Sequence, residues 1–224
     1  MVFYTKKKLY SLINNYRKLY CITTDKCLDM ISFCKSQGIA IDEIKMVTPG
    51  LRALCIPKSK IILLNEDLNA PAQNFHCAHE FIHLIAHSPT QSILTSNEAI
   101  PYPSHLEWQA NEGAAELLMP MRDILAYLYH LREPLDFKNA FKVATELAEM
   151  YNVPYTVASK RIENLGFEFE QYSFGLTIEE IEVLSHTKQK EKYPDFENPF
   201  KFSWGTLGAL SLFDGGAWEE ESIF

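Results

Sequence analysis

The chain has 224 residues, of which 47% are hydrophobic and 22% charged, a composition typical of a globular protein with a real core. The net charge of −8 argues against broad nucleic-acid binding and against binding to an anionic membrane surface. Neither a signal peptide nor a transmembrane helix is expected, because no apolar run is long enough. The five cysteines are scattered without a C-x-x-C pair, which predicts reduced thiols and a cytoplasmic location.

Two helices are predicted at the start of the chain. Residues 4–20 carry apolar side chains at helical spacing, which indicates an amphipathic helix. A second helix is expected from about Thr24 to just before Gly38, a residue suited to ending a helix. The cysteines of this region are too widely spaced for a convincing metal site and are interpreted as buried small hydrophobic residues: Cys21, Cys27 and Cys34.

A β-hairpin is predicted next. The apolar runs 51–56 and 60–65 are separated by a short segment that begins with Pro57, and the second run should form a mostly buried strand. Residues 39–47 are expected to add a third strand. A turn-rich connection follows, and Pro71 suits the first turn of the next helix.

That next helix, expected over residues 74–86, contains the sequence His79-Glu80-Phe81-Ile82-His83. Residues four apart lie on the same face of a helix, so His79 and His83 can turn two imidazoles toward one metal ion. Glu80 lies beside them and can act as the general base toward a water molecule, as in zinc proteases. The competing interpretation is a half-buried helix with two ordinary hydrogen-bonded histidines.

The second half of the chain is predicted to be mainly helical. A loop is expected over 88–104, followed by a helix that ends at Met119-Pro120. One domain is expected to span residues 1–166. Residues 167–224 are interpreted as an extension of unknown role, whose end is rich in Phe and Trp and therefore expected to pack. It is expected to pack on the domain, over the cleft or away from it, and the alternative is a contact with a partner protein or a second copy of the chain. The helices are expected near residues 105–118, 121–130, 137–151, 154–166 and 177–190.

A catalytic zinc site needs a third protein ligand, and Glu107 is the leading candidate. It shares a helical face with small residues that would let its helix approach the motif helix closely. A carboxylate on such a face needs a partner or a metal ion, although a helix N-terminus also favours one. Asn111, one turn further, can hydrogen-bond a ligating histidine. The rival ligands are Glu112 and Glu116, interpreted as solvent-facing, and Glu98 and His105, which lie in or beside the preceding loop.

Taken together, these motifs resemble the ImmA/IrrE family of metallo-endopeptidases, which are gluzincin-like enzymes of bacteria, prophages and mobile elements. The family pattern is H-E-x-x-H followed by E-x-x-A-N-x-F-A-A-x-L-L-M-P, and it is matched here by residues 79–83 and 107–120. The resemblance covers about residues 50–166. Gly113 stands where the family usually has Phe, and Phe81-Ile82 stands where Leu-Gly is common, but neither departure touches a ligand.

The resemblance implies an α+β, zincin-like fold with a small sheet beside the H-E-x-x-H helix and a mainly helical C-terminal half. It implies Zn²⁺ held by His79, His83 and Glu107, with Glu80 as the catalytic base. Asn111 is expected to support a ligand, and His87, one turn after His83, is interpreted as a supporting residue rather than as part of a second metal site. Candidates for stabilising the oxyanion stay open: His105, Tyr102, Tyr127 and His186.

The implied substrate is a protein, namely a helix-turn-helix repressor of a prophage, mobile element or stress regulon. An alternative is a zinc-containing anti-repressor that acts by binding, with little or no proteolytic activity. A third alternative is a DNA-binding regulator built on residues 137–166. Charge speaks against it, because the basic residues of that segment are balanced by acidic ones and a DNA-reading helix pair needs a basic face.

Overall fold

A computed structural model of the protein describes residues 4–23, 27–87, 94–95 and 104–202. These residues form nine α-helices and one four-stranded sheet, which confirms the predicted α+β class. The helices are α1 (Lys6–Leu19), α2 (Met30–Ser36), α3 (Ala70–Ile82), α4 (Ser104–Leu118), α5 (Met121–Tyr129), α6 (Ala140–Tyr151), α7 (Tyr155–Asn164), α8 (Gly166–Ser173) and α9 (His186–Lys192). The strands are β1 (Ala40–Ile44), β2 (Ala53–Ile56), β3 (Ile61–Asn65) and β4 (Leu94–Thr95).

The chain forms two compact units. The first contains residues from Lys8 to Leu118 and therefore the sheet, α2, α3, α4 and most of α1. The second contains Thr5–Lys7 and the chain from Met119 onward. The predicted domain boundary between residues 166 and 167 stays a prediction. Among the described residues, none of the helices has the length and apolarity that crossing a membrane requires.

The sheet of the first unit confirms the predicted hairpin and the predicted third strand. Its strand order is β1-β3-β2-β4, with β2 antiparallel to β3 and β1 parallel to β3. Directly paired residues share one face of a sheet. Cys55 pairs with Ile62 and Ala53 pairs with Leu64, and all four side chains are buried. The sheet therefore has one apolar face, and α3 packs against β2 and β3.

The motif helix α3 begins earlier and ends earlier than the sequence predicts. Asn69 caps its N-terminus by accepting a hydrogen bond from the backbone N–H of Ala72 at 3.0 Å, and Pro71 lies in the first turn as predicted. After Ile82 the backbone continues as a single π-helical turn over His83–His87. The motif therefore lies at a junction between two kinds of helix, a feature that often occurs at functional sites.

Helix α1 covers one side of α4 and corrects one sequence interpretation. Glu112 and Glu116, expected to face solvent, are only 5% and 1% exposed. The hydroxyl of Tyr10 donates a hydrogen bond to Glu112, and Asn14 donates one to Glu116 at 3.1 Å. The solvent-facing interpretation was wrong because two polar residues on the buried side of α1 supply donors for these carboxylates.

Two further expectations for the first unit were also wrong. Helix α2 begins at Met30, where Asp29 caps it, rather than near Thr24, which lies outside the described residues. Cys21 and Cys27 are exposed instead of buried, whereas Cys34 is buried as predicted. Of the predicted loop over 88–104, the described part includes the short strand β4, which pairs with β2.

The second unit agrees with most of the predicted helices. The expected helix over 177–190 is wrong, because α9 begins only at His186. In the described part of the extension, Phe200 is buried and its ring lies 4.8 Å from that of Phe169. The tail from residue 203 to Phe224 lies outside the described residues, so its predicted packing stays a prediction.

Candidate metal centre

Three side chains from α3, the π-helical turn and α4 converge on one point in the first unit. His79 Nε2 lies 3.1 Å from His83 Nε2 and 3.2 Å from Glu107 Oε2. His83 Nε2 lies 3.2 Å from Glu107 Oε1. Within the described part of the chain, these residues form the cluster of histidine, cysteine and carboxylate side chains whose ligand atoms could hold a metal ion.

The geometry of this cluster fits a tetrahedral zinc ion. Nitrogen and oxygen ligands lie about 2.1 Å from zinc, so two ligand atoms at the tetrahedral angle are about 3.4 Å apart. The two imidazole nitrogens lie 3.1 Å apart, and each lies 3.2 Å from one oxygen of the Glu107 carboxylate, His79 from Oε2 and His83 from Oε1, which is close to that value. Glu107 Oε1 is buried and, within the described residues, its contact with His83 lacks hydrogen-bond geometry. That oxygen therefore has a lone pair available for a cation.

The charges at the site act in opposite directions on the two imidazoles. Burial tends to lower the pKa of His79, but the hydrogen bond and negative charge of Glu107 outweigh it, so the pKa is raised. Burial lowers the pKa of His83 to about 4, with further lowering from the neighbouring His79. The pKa of Glu107 is lowered, because its close contacts with both histidines outweigh the effect of burial.

Asn111 supports His79 from α4. Its Oδ1 lies 2.8 Å from His79 Nδ1, and an amide oxygen can only accept, so Nδ1 carries the hydrogen. His79 Nε2 is then left with its lone pair directed at the cluster. The sequence indicated this role for Asn111, because it lies one turn after Glu107 on α4.

His83 is supported by His87, the residue that continues the histidine series by one turn. Their Nδ1 atoms lie 2.9 Å apart, and His87 Nε2 lies 3.2 Å from Gln109 Oε1. The sequence indicated His87 but missed Gln109. Nothing in its spacing marks Gln109, because it lies two residues after Glu107 and off the small-residue face of α4.

Glu80, the expected general base, is completely buried on α3. It lies close to the buried thiol of Cys55 on β2: burial raises the pKa of Cys55, and the negative charge of Glu80 raises it further. The sequence did not indicate Cys55 as a neighbour of the site. Its position follows from the alternation of buried residues along β2, read together with the packing of α3 on that face.

The remaining sequence candidates are not assigned to the cluster. Glu98 and Tyr102 lie outside the described residues, and His105 lies in the first turn of α4. Tyr127 and His186 belong to the second unit, where the hydroxyl of Tyr127 donates to Glu146 at 2.7 Å. Burial and this contact raise the pKa of Tyr127 to about 12. The oxyanion-stabilising residue therefore stays unassigned.

The fold and the cluster together define a zincin-like domain of the metallopeptidase type. Residues 34–163 match the Peptidase M78 family, described as the IrrE N-terminal-like domain, and this match covers more than half of the chain. The protein belongs to that family.

The comparison with solved structures supports the fold, and neither this comparison nor the one with curated sequences identifies an activity. The structure is similar to that of a Mycobacterium tuberculosis transcriptional regulator, with a TM-score of 0.50 and 14% sequence identity. The alignment covers 70% of this chain and 47% of that chain, so the protein spans about half the length of this relative. Among curated proteins, a sequence comparison finds no match.

Proposed function

We propose that the protein is a zinc-dependent endopeptidase of the ImmA/IrrE type, with His79, His83 and Glu107 as metal ligands and Glu80 as general base. The observation that carries the proposal is the convergence of the Nε2 atoms of His79 and His83, 3.1 Å apart, with the Glu107 carboxylate, whose two oxygens each lie 3.2 Å from one of these nitrogens. Zinc suits two imidazoles and one carboxylate, a ligand set that leaves a fourth position for water or substrate. The site is built on two packed helices and therefore has a rigid frame.

The residues of the chain divide the chemistry among them. A zinc ion bound here would supply Lewis acidity, which lowers the pKa of water and polarises a peptide carbonyl. Glu80 would take a proton from the attacking water on its carboxylate and deliver it to the amide nitrogen that leaves. Asn111 fixes the ring of His79 and leaves its Nε2 free to ligate.

For the substrate, we propose a protein carrying a helix-turn-helix DNA-binding domain, cleaved in the cytoplasm. Membership of the family supports a protein substrate, and the regulator with a similar fold is consistent with a regulatory setting. The net charge of −8 gives no support to direct nucleic-acid binding. The prophage, mobile-element or stress context rests on the family resemblance alone.

Glu80 also supplies the reason to keep an alternative. Its side chain is 0% exposed, and a general base must reach the water that it activates. This burial favours an anti-repressor that binds its partner and holds zinc without cleaving. The two functions differ in what they require of the Glu80 carboxylate, because binding alone does not need a proton acceptor there.

The Glu80→Gln variant separates the two functions. We expect it to keep about one zinc per chain but to cleave its protein substrate about 100-fold more slowly or worse, as loss of a general base predicts. Glu112→Gln is the matched control, because Glu112 is also buried and hydrogen-bonded but belongs to the contact with Tyr10. Unchanged cleavage by Glu80→Gln would refute Glu80 as the general base, and absence of cleavage by the unaltered, zinc-loaded protein would refute the peptidase function. Gene induction that persists without cleavage would establish the anti-repressor.

A further inference from the structure

A chain of three buried polar side chains leads away from the proposed metal site. His83 Nδ1 lies 2.9 Å from His87 Nδ1, and His87 Nε2 lies 3.2 Å from Gln109 Oε1. All three residues are buried, with His83 and Gln109 completely so. The chain connects the π-helical turn with α4, two elements that also carry the ligands His83 and Glu107.

Which ring nitrogen donates at each step of this chain is determined once the donor and acceptor of the contact between Gln109 and His87 are known. A neutral imidazole has one N–H donor and one acceptor nitrogen, and an amide oxygen can only accept. With Oε1 of Gln109 facing it, His87 must donate from Nε2, which makes its Nδ1 the acceptor. His83 must then donate from Nδ1, and its Nε2 keeps the lone pair that points toward His79 and Glu107.

The reverse direction is incompatible with metal binding by His83. If the Gln109 amide were rotated, its Nε2 would donate to His87, and each proton would move to the other nitrogen of its ring. His83 would then carry its proton on Nε2, the atom that must ligate. In the described structure Gln109 Nε2 is buried without a hydrogen-bond partner, so the contact with His87 decides how the amide is oriented.

We propose that Gln109 is a positioning residue of the metal site: its side-chain oxygen holds His87 in the Nε2–H tautomer, and His87 in turn holds His83 in the tautomer that ligates through Nε2. The proposal rests on the proposed zinc site. It goes beyond that site because it assigns to Gln109 and His87 a single shared function. The hydrogen bond of Gln109 goes to His87, so Gln109 acts on the proposed ligand His83 through His87.

The first test is the affinity for zinc. Gln109→Met keeps nearly the same shape but removes the acceptor, and loss of a supporting contact behind a histidine ligand weakens metal binding by about 10–100-fold. We expect the lower end, about tenfold, measured by competition with a chromophoric chelator. Gln189→Met is the matched control, because Gln189 is also buried and donates to the carbonyl of Leu184, but in the second unit. Equal zinc affinity in Gln109→Met and the unaltered protein would overturn the proposal.

The second test asks whether Gln109 acts through His87. In a His87→Leu background, Gln109→Met should change zinc affinity by less than about twofold, because the residue through which it acts is gone. A further tenfold loss in that background would show that Gln109 supports the site by packing instead, and would overturn the relay.

The third test observes the tautomers without any activity assay. Long-range ¹H–¹⁵N correlation spectra of the full chain should show His87 protonated on Nε2 and not on Nδ1 when zinc is bound. In Gln109→Met the His87 signals should shift toward a mixture of tautomers. A His87 ring protonated on Nδ1 in the zinc-loaded protein would overturn the proposal. A chain that binds no zinc would refute the proposed function, and the His87 signals of the same sample would still report whether Gln109 sets the tautomer.

Discussion

Gly113 on α4 faces Ile82 at the end of α3. This contact predicts that Gly113→Ala destabilises the protein when Ile82 is present and stabilises it when Ile82 is shortened. A Cβ atom at residue 113 would lie 3.0 Å from Ile82 Cγ2 and 3.2 Å from Cγ1, closer than carbon atoms normally approach. Overpacking of this kind costs about 1–3 kcal/mol, whereas replacing Gly by Ala inside a helix gains about 1 kcal/mol. Gly113→Ala should therefore destabilise the protein by roughly 0–2 kcal/mol.

The same substitution should be stabilising once Ile82 is shortened. Ile82→Ala alone should cost about 2–5 kcal/mol, because Ile82 is completely buried. It also removes all three atoms that the new methyl group would meet, namely Cγ1, Cγ2 and Cδ1. In that background Gly113→Ala should gain about 1 kcal/mol from helix propensity. The coupling energy between the two positions is then about 1–3 kcal/mol.

The double-mutant cycle compares the unaltered protein, the two single variants and the double variant. Their free energies of unfolding are measured by urea unfolding followed by circular dichroism. Excess chelator is present so that bound zinc does not add to the stability. Gly113→Ala in an Ile124→Ala background is the control, because Ile124 is equally buried but lies on α5. There the effect of Gly113→Ala should match that in the unaltered chain. An equal effect of Gly113→Ala in the Ile82 and Ile124 backgrounds would refute the reasoning.

Three further predictions concern the site and the helix ends. Glu107→Ala should strip zinc from the purified protein, whereas Glu112→Ala should retain it and lose stability instead, as elemental analysis and urea unfolding would show; the opposite pattern would overturn the ligand assignment. Asn111→Ala should weaken zinc binding about 10–100-fold in chelator competition, and an unchanged affinity would contradict its support of His79. Asp29→Ala should destabilise the protein by about 1 kcal/mol. A hydrogen bond from Ser32 is the main cause of the lowered pKa of Asp29. The contribution of the Asp29 carboxylate to folding stability is therefore present above about pH 4 and is lost as the pH falls through the lowered pKa of the folded protein. Asp29→Asn, which keeps an acceptor, should remove that part of the pH dependence.

The local pattern of the chain was enough to predict the elements that bring His79, His83 and Glu107 together. The face of small residues on α4 identified Glu107, and this face packs on α3 as expected because Ala110 and Ala114 leave room for close approach. Burial of Glu112 and Glu116 was not predictable in the same way. It depends on donors from α1, about 100 residues earlier in the chain, and periodicity within α4 contains no information about them.

The two departures from the ImmA/IrrE pattern are also explained only by the structure. Residue 82, where Gly is common, is Ile here, and residue 113, where Phe is usual, is Gly here. The two positions touch in the structure. The large side chain at this contact therefore comes from α3 here, whereas in the family pattern it comes from the position of residue 113 on α4. Read along the sequence they are unrelated substitutions 31 positions apart.

The π-helical turn at His83–His87 determines how far a row of histidines can extend. In an α-helix, a step of four residues overshoots a full turn by about 40°, so a third imidazole would drift away from the line of the first two. A wider turn advances by a smaller angle per residue and brings His87 back into register, where its Nδ1 lies 2.9 Å from that of His83. The winding of this segment, and not only the identity of its histidines, therefore sets the contact between the two rings.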